Sequence, residues 1–189
     1  MNKKLLLFFI PTIFFCSDLF SQSRVDTSAI KRQLEVIRDR DQKTRKGIDS
    51  AAFMQFIDST NLVQVESLIS MYGWLGISFV GARGNNTIFL VIQHSDLATQ
   101  EKYLPIMQKS VDLGESRSSD FALLHDRVLM GQGRKQNYGS QVVFDKMGNK
   151  IFYPIEDEKN VNIRRAKVGL EPIEEYVKYF GIDYKLPKQ

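Results

Sequence analysis

The sequence predicts an α+β fold, predominantly α-helical with a small late β-hairpin, arranged as a single domain. Three observations carry this prediction. Apolar residues recur three or four positions apart through the first two thirds of the chain, as on one face of a helix. Two short runs rich in Val, Ile and Phe flank a turn near Gly148. No internal repeat or low-complexity linker divides the chain, and its length suits one hydrophobic core.

The first helices follow from apolar stripes. Residues 26–40 carry Ile and Leu at i, i+4 and i+7 among charges, which is typical of an amphipathic helix with one buried face. A second helix is predicted around Phe56. A third is predicted to open at Asn61, a favoured N-cap, and to stop at Gly73, because glycine commonly follows the last helical residue.

The middle of the chain holds two less regular segments. The run 88–92 is apolar on every side and fits either a buried helix or a core strand, and we favour the helix. Pro105 predicts two helices, or one kinked helix, across residues 98–113, since proline removes a backbone donor. Ser119 or Asp120 is predicted to cap the next helix.

The last third of the chain predicts the β-hairpin and two short helices. Residues 141–145 and 150–153 are the strands, joined by the turn at residues 147–149. Asn160 is predicted to cap one short helix, and Pro172 to open the final one.

The N-terminus predicts export. Residues 1–21 read as a signal peptide, with two lysines, an apolar run at residues 5–15 and a small residue at the cleavage position. Residues 22–189 are then the globular domain, periplasmic or secreted. The apolar run is too short to span a bilayer, so no stable membrane anchor is expected after cleavage. The single cysteine, Cys16, would leave with the signal peptide.

Composition excludes several classes of function. A net charge of +4 is too small to indicate a nucleic-acid partner. With two histidines and no cysteine beyond Cys16, a zinc site would have to recruit scattered carboxylates, so neither a metal nor another cofactor is expected. No phosphate-binding loop, dinucleotide fingerprint or serine nucleophile elbow occurs.

The polar loop at residues 131–141 is the densest candidate site. It combines three glycines with amides, cations and an aromatic residue, so it is predicted to bind a polar or anionic ligand through Gln136, Tyr138 and Gln141. Arg127, Arg164 and Arg165 are the cations predicted to contact the same ligand. The alternative is a solvated connector between a helix and a strand.

Arg164 lies on the apolar stripe of its helix, three residues after Val161, and therefore needs a partner. The partner is either an internal carboxylate, Asp126 or Asp157, or an anionic ligand. Arg165 is expected to face solvent or the edge of the same cleft.

His94 and Asp126 are the candidate catalytic residues. An imidazole beside a carboxylate, as in the segment that contains His94 and Asp96, can act as a general base near neutral pH. A single histidine is more often structural, which leaves that alternative open. Asp126 is predicted to lie at the end of its helix, just before the polar loop. His125, on the apolar face of that helix, is a weaker candidate.

Seven short motifs occur along the chain: Asp41-Gln42 with Arg45, Gly73-Trp74, Gln93-His94 with Asp96, Asp126-Arg127, residues 136–141, Pro154-Ile155 with Asp157, and Asn162 with Arg164-Arg165 and Gly169-Leu170. Together these motifs resemble a bacterial family of domains of unknown function, DUF6624, over about residues 30–180. The chain also resembles Bacteroidetes proteins in its leader and its Phe- and Lys-rich style.

The resemblance implies no activity, so the residues must carry the functional hypotheses. The first is an exported hydrolase with an acid/base site and an anion- or amide-recognising loop. The second is a non-catalytic binding or interaction domain that recognises a peptide or glycan. A third is that the motif residues only form a polar core.

Overall fold

The structure, a computed structural model, describes residues 25–47 and 50–187, which form a bundle of helices followed by a small antiparallel hairpin. The predicted fold class is therefore confirmed, whereas the predicted signal peptide lies outside the described residues. Of the helices in these two ranges, none combines the length and apolar character that crossing a membrane requires. The helices of the bundle are α1 (Thr27–Lys46), α2 (Ala51–Tyr72), α3 (Ile77–Gln93), α4 (Leu97–Asp112) and α5 (Ser118–Gly131).

Helix α3 is the centre of the bundle and packs against α1, α2, α4 and α5. The run 88–92, predicted as a helix, is helical and supplies Ile88 and Ile92, both fully buried. From α1 the predicted stripe contributes Leu34 and Ile37, also fully buried. The bundle therefore has one continuous core, and its middle helix reaches both ends of that core.

The prediction of two helices before Gly73 is wrong, because α2 runs unbroken through Asn61. Ser50 is the N-cap and accepts a hydrogen bond from the Phe53 amide. Asn61 is fully buried in the helix interior, and neither its amide nitrogen nor its amide oxygen has a hydrogen-bond partner within the described residues. The buried residues on either side of it, Ile57 and Val65, share its stripe, so tertiary packing overrides the capping preference of asparagine.

Pro105 does not divide its segment, since α4 is one helix with proline inside it. Proline removes one amide donor, which leaves the carbonyl of Glu101 without its usual helical partner. Both Pro105 and Glu101 are exposed, so water can bind that carbonyl. The location of the proline on the solvent side of a peripheral helix explains why the helix survives.

Gly81 interrupts α3 near its start, with φ 78° and ψ 164°. An added Cβ would meet no atom within 4 Å, so the constraint lies in the backbone alone. Because this region of φ/ψ space is essentially restricted to glycine, Gly81→Ala is expected to lower the free energy of unfolding by about 1–3 kcal/mol. Urea titration measures this free energy. Gly47→Ala, at an exposed residue with φ −85°, is the matched control. An equal loss of stability in the two variants would contradict the explanation.

The C-terminal third packs as a small unit against α5. Strands β1 (Val142–Phe144) and β2 (Lys150–Phe152) pair antiparallel with Val143 opposite Ile151, which confirms the predicted hairpin. Helix α6 (Val161–Lys167) follows Asn160 as predicted, and α7 (Ile173–Tyr176) follows Pro172 and continues as a 3₁₀ turn. This unit has its own small core, formed by Ile155, Val161 and Ile173.

Candidate active site around His94 and Asp41

His94 stands at the C-terminus of α3, where its amide donates to the carbonyl of Leu90 at 3.2 Å. Its ring faces α1, where Asp41 lies on the same buried stripe as Leu34 and Ile37. Asp41 is 1% exposed, so its carboxylate depends on hydrogen bonds from the protein rather than from water.

The carboxylate of Asp41 binds the imidazole directly. His94 Nδ1 lies 2.9 Å from Asp41 Oδ1, and Gln42 donates to Oδ2 at 2.7 Å. Burial raises the pKa of Asp41, but the hydrogen bonds from His94 and Gln42 and the charge of Arg45 outweigh it, and the pKa falls below its ordinary value. The carboxylate is therefore ionised at neutral pH.

This contact selects one tautomer of His94. An ionised and buried carboxylate can only accept, so Nδ1 carries the proton and donates it to Asp41. The lone pair then resides on Nε2, the other ring nitrogen. Arg45 Nε lies 3.1 Å from Nδ1 and points its own proton at the same atom, an arrangement that a protonated Nδ1 does not accept. The carboxylate is the stronger partner of Nδ1, because it is charged and buried, and no water can reach it to replace the hydrogen bond from the imidazole.

Arg45 connects the pair to a second carboxylate. Its Nη2 lies 3.4 Å from Asp41 Oδ1 and makes a short ion pair with Asp58 on α2. Asp41, Asp58 and His94 also place one potential ligand atom each within 4.8 Å of one another, a spacing that could hold a metal ion. The guanidinium of Arg45 already binds both carboxylates, so it supplies the positive charge that a metal ion would otherwise provide to Asp41 and Asp58.

A cleft of about 460 Å³ opens beside these groups. Its volume lies in the range of small-molecule sites. Met54 and Leu62 form an apolar wall, while Arg45, Asp58 and Asp96 are the charged residues on its lining. The side chain of His94 is 14% exposed and belongs to the same lining, whereas Asp41 lies behind it. The imidazole is thus the link between the buried carboxylate and the cleft.

The two serines that line the cleft are engaged elsewhere. Ser59 Oγ donates to the carbonyl of Gln55 at 2.8 Å, and Ser95 Oγ donates to the carbonyl of Ile92 at 2.6 Å. Each hydroxyl proton is held within its own helix or helix terminus rather than by His94. A bound water is therefore the better candidate than a serine for activation by the imidazole.

Arg127, predicted as a ligand contact, lies behind the site. Its Nη1 donates to the carbonyl of Gln93 at 3.1 Å, one residue before His94, and so caps the C-terminus of α3 with a cation. Burial lowers its pKa, and the charge of Arg45 lowers it further. Its Nε has no partner within the described residues. The structure thus gives Arg127 a positioning role for the segment that carries His94.

Asp126 belongs to a different network from His94. It lies in the interior of α5, which continues to Gly131, so its predicted position at the helix end is wrong. Asp126 is fully buried. Its Oδ1 accepts from the amides of Asn137 and Tyr138 at 2.7 and 3.0 Å, and its Oδ2 accepts from the amide and hydroxyl of Ser140 at 3.0 and 2.9 Å. This carboxylate organises the polar loop.

The amides predicted to bind ligand bond inside the loop. Gln136 is fully buried and donates to the carbonyls of Gln141 and Tyr153, while its oxygen accepts from the Gln141 amide at 2.8 Å. Gln141 is 7% exposed and donates to Ser140 Oγ. Tyr138 packs edge-on against His125, with ring centroids 6.2 Å apart. Ligand binding by these residues stays a prediction, and their internal bonds favour the polar-core alternative.

Only one of the two predictions for the arginines of α6 is wrong. Arg165 is 1% exposed, donates to the carbonyls of Glu171 and Tyr138 and lies over the ring of Tyr176, so the expectation that it faces solvent is wrong. Arg164 donates to the carbonyl of Asn137 and pairs with Asp157 at 3.4 Å, which was one of its two predicted carboxylate partners.

Of the two predicted catalytic residues, only His94 lines the cleft. Its carboxylate partner is Asp41 rather than Asp126 or the neighbouring Asp96, which instead caps α4 through the Thr99 amide. Sequence reasoning missed Asp41 and Asp58 as site residues. A signal for Asp41 was present, because it continues the stripe of Leu34 and Ile37, where a carboxylate is expensive without a partner.

His125 gives a separate prediction on stability. Its ring stacks on Phe121 at 5.7 Å, and burial lowers its pKa from 6.5, with Asp126 opposing and Arg134 assisting that shift. The unfolded chain therefore binds a proton more readily, and stability falls as the pH drops below 6.5 towards the lowered value.

His125→Phe keeps an aromatic ring and removes this titration. As the pH falls from 7.5 to 5.5, the free energy of unfolding of the wild type is expected to decrease by up to about 1.4 kcal/mol per pH unit more than that of the variant. Urea unfolding at both pH values measures the difference. Parallel losses in the two proteins would show that His125 is protonated equally in the folded and unfolded chains.

The fold and the site together define a small helical protein whose histidine, backed by a buried aspartate, opens onto a cleft. The chain belongs to a family of unknown function, DUF6624, whose family model matches residues 23–188. Comparison with curated proteins and with solved structures finds no match.

Proposed function

We propose that the protein is an exported hydrolase in which His94 is the general base and Asp41 its positioning residue. The observation that carries the proposal is the 2.9 Å contact between His94 Nδ1 and a carboxylate that is 1% exposed, at the edge of a cleft. A base in this position is oriented by a group that solvent does not reach, which is the arrangement that general-base catalysis uses.

The proposed reaction is attack by water on an electrophilic centre of a substrate bound in the cleft. His94 Nε2 accepts a proton from the water as its oxygen attacks, and the imidazolium formed is stabilised by Asp41. The same proton then passes to the leaving group, so the imidazole returns to its starting state. Arg45, which lines the cleft and is partly exposed, is the cation available to the developing negative charge.

The charges of the cleft favour a polar substrate over a strongly anionic one. Asp58 and Asp96 lie on the lining, and Asp41 lies behind it, against the single positive charge of Arg45. The earlier expectation of an anionic ligand rested on Arg127, Arg164 and Arg165, and none of these is among the residues that line this cleft. We therefore propose a neutral polar substrate, such as an ester, amide or glycoside.

Non-catalytic binding is the second candidate. The closed charge network of Asp41, Arg45 and Asp58 favours it, because a fully paired cluster can serve recognition without turnover. Export is part of the main proposal and is supported by the composition of residues 1–21. N-terminal sequencing of protein recovered from outside the cytoplasm tests it, and an intact residue 1 would contradict it.

The experiment is a hydrolysis screen of purified wild type and His94→Gln. Chromogenic esters, anilides, glycosides and phosphodiesters are supplied between pH 5 and 9, and product release is followed by absorbance. We expect turnover of at least one neutral class by wild type, and its loss in the variant with unfolding midpoints unchanged. Equal turnover by both proteins, or none by either, would contradict the proposal and favour the binding domain.

A further inference from the structure

A second concave surface lies at the opposite end of α3 from His94. It is a groove of about 570 Å³ between the end of α2, the start of α3 and the last turns of α4. A helix of 17 residues spans roughly 25 Å, so this groove and the His94 cleft are separate sites. Nothing in the proposed hydrolysis uses it.

The lining of the groove is mainly apolar and aromatic. Tyr72 and Phe79 pack with ring centroids 6.0 Å apart, and Trp74 lies beside them, tied to Ser116 by a hydrogen bond of 3.0 Å from its indole nitrogen. Ile106 and Leu113 complete the wall, and Leu113 is 78% exposed. The free energy falls when an apolar ligand covers such a surface and removes it from water.

The groove has two charged residues with different surroundings. Glu115 is committed to the protein, because its carboxylate accepts from the Ser78 amide at 2.8 Å and packs against Gly76, where a Cβ would lie 2.3 Å away. Lys109 is exposed and makes no salt bridge or side-chain hydrogen bond with any residue in the described part of the chain. Its ammonium is the charge left for a ligand.

From this combination we propose that the groove binds an amphipathic monoanion, an acyl chain that ends in a carboxylate. The chain lies against Trp74, Phe79 and Leu113, and the carboxylate pairs with Lys109. The volume of the groove is within the range of small-molecule sites, and Lys109, the cation on its lining, has no ion-pair partner within the described residues and favours a ligand with a single negative charge. The acyl chain thus accounts for the apolar wall, and its carboxylate head accounts for the cation.

Trp74 makes the test direct, because it is the only tryptophan of the chain. Protein beginning at Gln22, which contains the whole described domain, is titrated below the critical micelle concentration with dodecanoate, dodecanol and dodecyltrimethylammonium. We expect a saturable change in Trp74 fluorescence, with dodecanoate bound about tenfold more tightly than the cation, the ratio that corresponds to about 1.4 kcal/mol.

Variants separate the two parts of the proposal. Lys109→Gln should weaken dodecanoate severalfold and leave dodecanol unchanged, whereas Leu113→Asp should weaken both. Lys43→Gln and Val63→Asp, at exposed residues on other surfaces, are the matched controls and should bind as wild type.

Three results would overturn the proposal: no saturable change, equal affinity for all three probes, or a concentration-dependent dimer whose formation alone changes Trp74 fluorescence. The last would identify a second copy as the occupant. Hydrolysis by His94 is measured independently, so failure here leaves the proposed function unaffected.

Discussion

Replacing Asp41 by Asn is expected to lower kcat by about 10²–10⁴-fold on whichever substrate class the wild type hydrolyses. An asparagine side chain presents an amide that can donate to Nδ1, which favours the tautomer with the proton on Nε2 and removes the base from the cleft. It also withdraws the negative charge that stabilises the imidazolium. Because Asp41 is buried and is not among the residues that line the cleft, KM should change much less than kcat.

The pH profile distinguishes this role from a structural one. A positioning carboxylate shifts the acidic limb of the kcat profile, whereas a merely structural residue lowers the amount of folded protein at every pH. Asp96→Asn is the matched control, since Asp96 lines the same cleft and asparagine can still cap α4. Retention of wild-type kcat and pH profile by the Asp41 variant would exclude the proposed pair.

The same variant is expected to be less stable than the wild type at neutral pH. The pKa of Asp41 is lowered in the folded chain, so its contribution to the free energy of unfolding is fully present above the ordinary value of 3.8 and is lost as the pH falls through the lowered value. Because the variant lacks this contribution, kcat is compared at a temperature where circular dichroism shows both proteins to be folded.

Replacing Asp126 by Asn is expected to lower the free energy of unfolding by about 3 kcal/mol, because hydrogen bonds to a charged group contribute about 1.5–3 kcal/mol each and a buried donor without an acceptor costs about 1–3 kcal/mol. Every group around the carboxylate is a donor: the amides of Asn137, Tyr138 and Ser140 and the Ser140 hydroxyl. An asparagine would direct an NH₂ group at one set of these donors and leave them buried without an acceptor.

Chemical denaturation measures this loss, and two variants calibrate it. Ser140→Ala removes one hydroxyl, which donates to Asp126 and accepts from Gln141, and should cost about 1–2 kcal/mol. Asp39→Asn, at an exposed residue of α1, should change stability by less than about 0.5 kcal/mol. If Asp126→Asn were no more destabilising than Asp39→Asn, the loop would not depend on the carboxylate, and a ligand-binding role for it would regain support.

Local patterns predicted the elements of this fold well where packing agrees with them. The stripe of α1 and the hairpin turn at Gly148 are strong local signals, and both are confirmed. Asn61 misled, and so did Pro105 in the alternative that divided its segment into two helices, because each is a local boundary signal within a longer helix. The helix continues through Asn61 because the residues on both sides of it pack into the core. It continues through Pro105 because that residue faces solvent.

The site was only half predictable, because its distances are not local. His94 and Asp41 are 53 residues apart, and only the packing of α3 on α1 brings them together. His94 and Asp126 lie in equally promising motifs, yet they serve separate networks. The wrong expectation for Arg165 has the same origin, since a seven-residue helix has too few positions to fix which side faces the core.

The loop around Asp126 makes the C-terminal third dependent on the helical bundle. Residues 136–141 take their shape from a carboxylate on α5, and the segments beyond them share a core of three buried apolar residues. The five-helix bundle has a much larger core of its own. Tyr176, in the C-terminal third, lies near enough to Arg127 of α5 to raise its pKa, against the effect of burial. The Gln93 carbonyl, one residue before His94, is thus capped by an arginine of α5 whose pKa depends in part on a tyrosine of the C-terminal third.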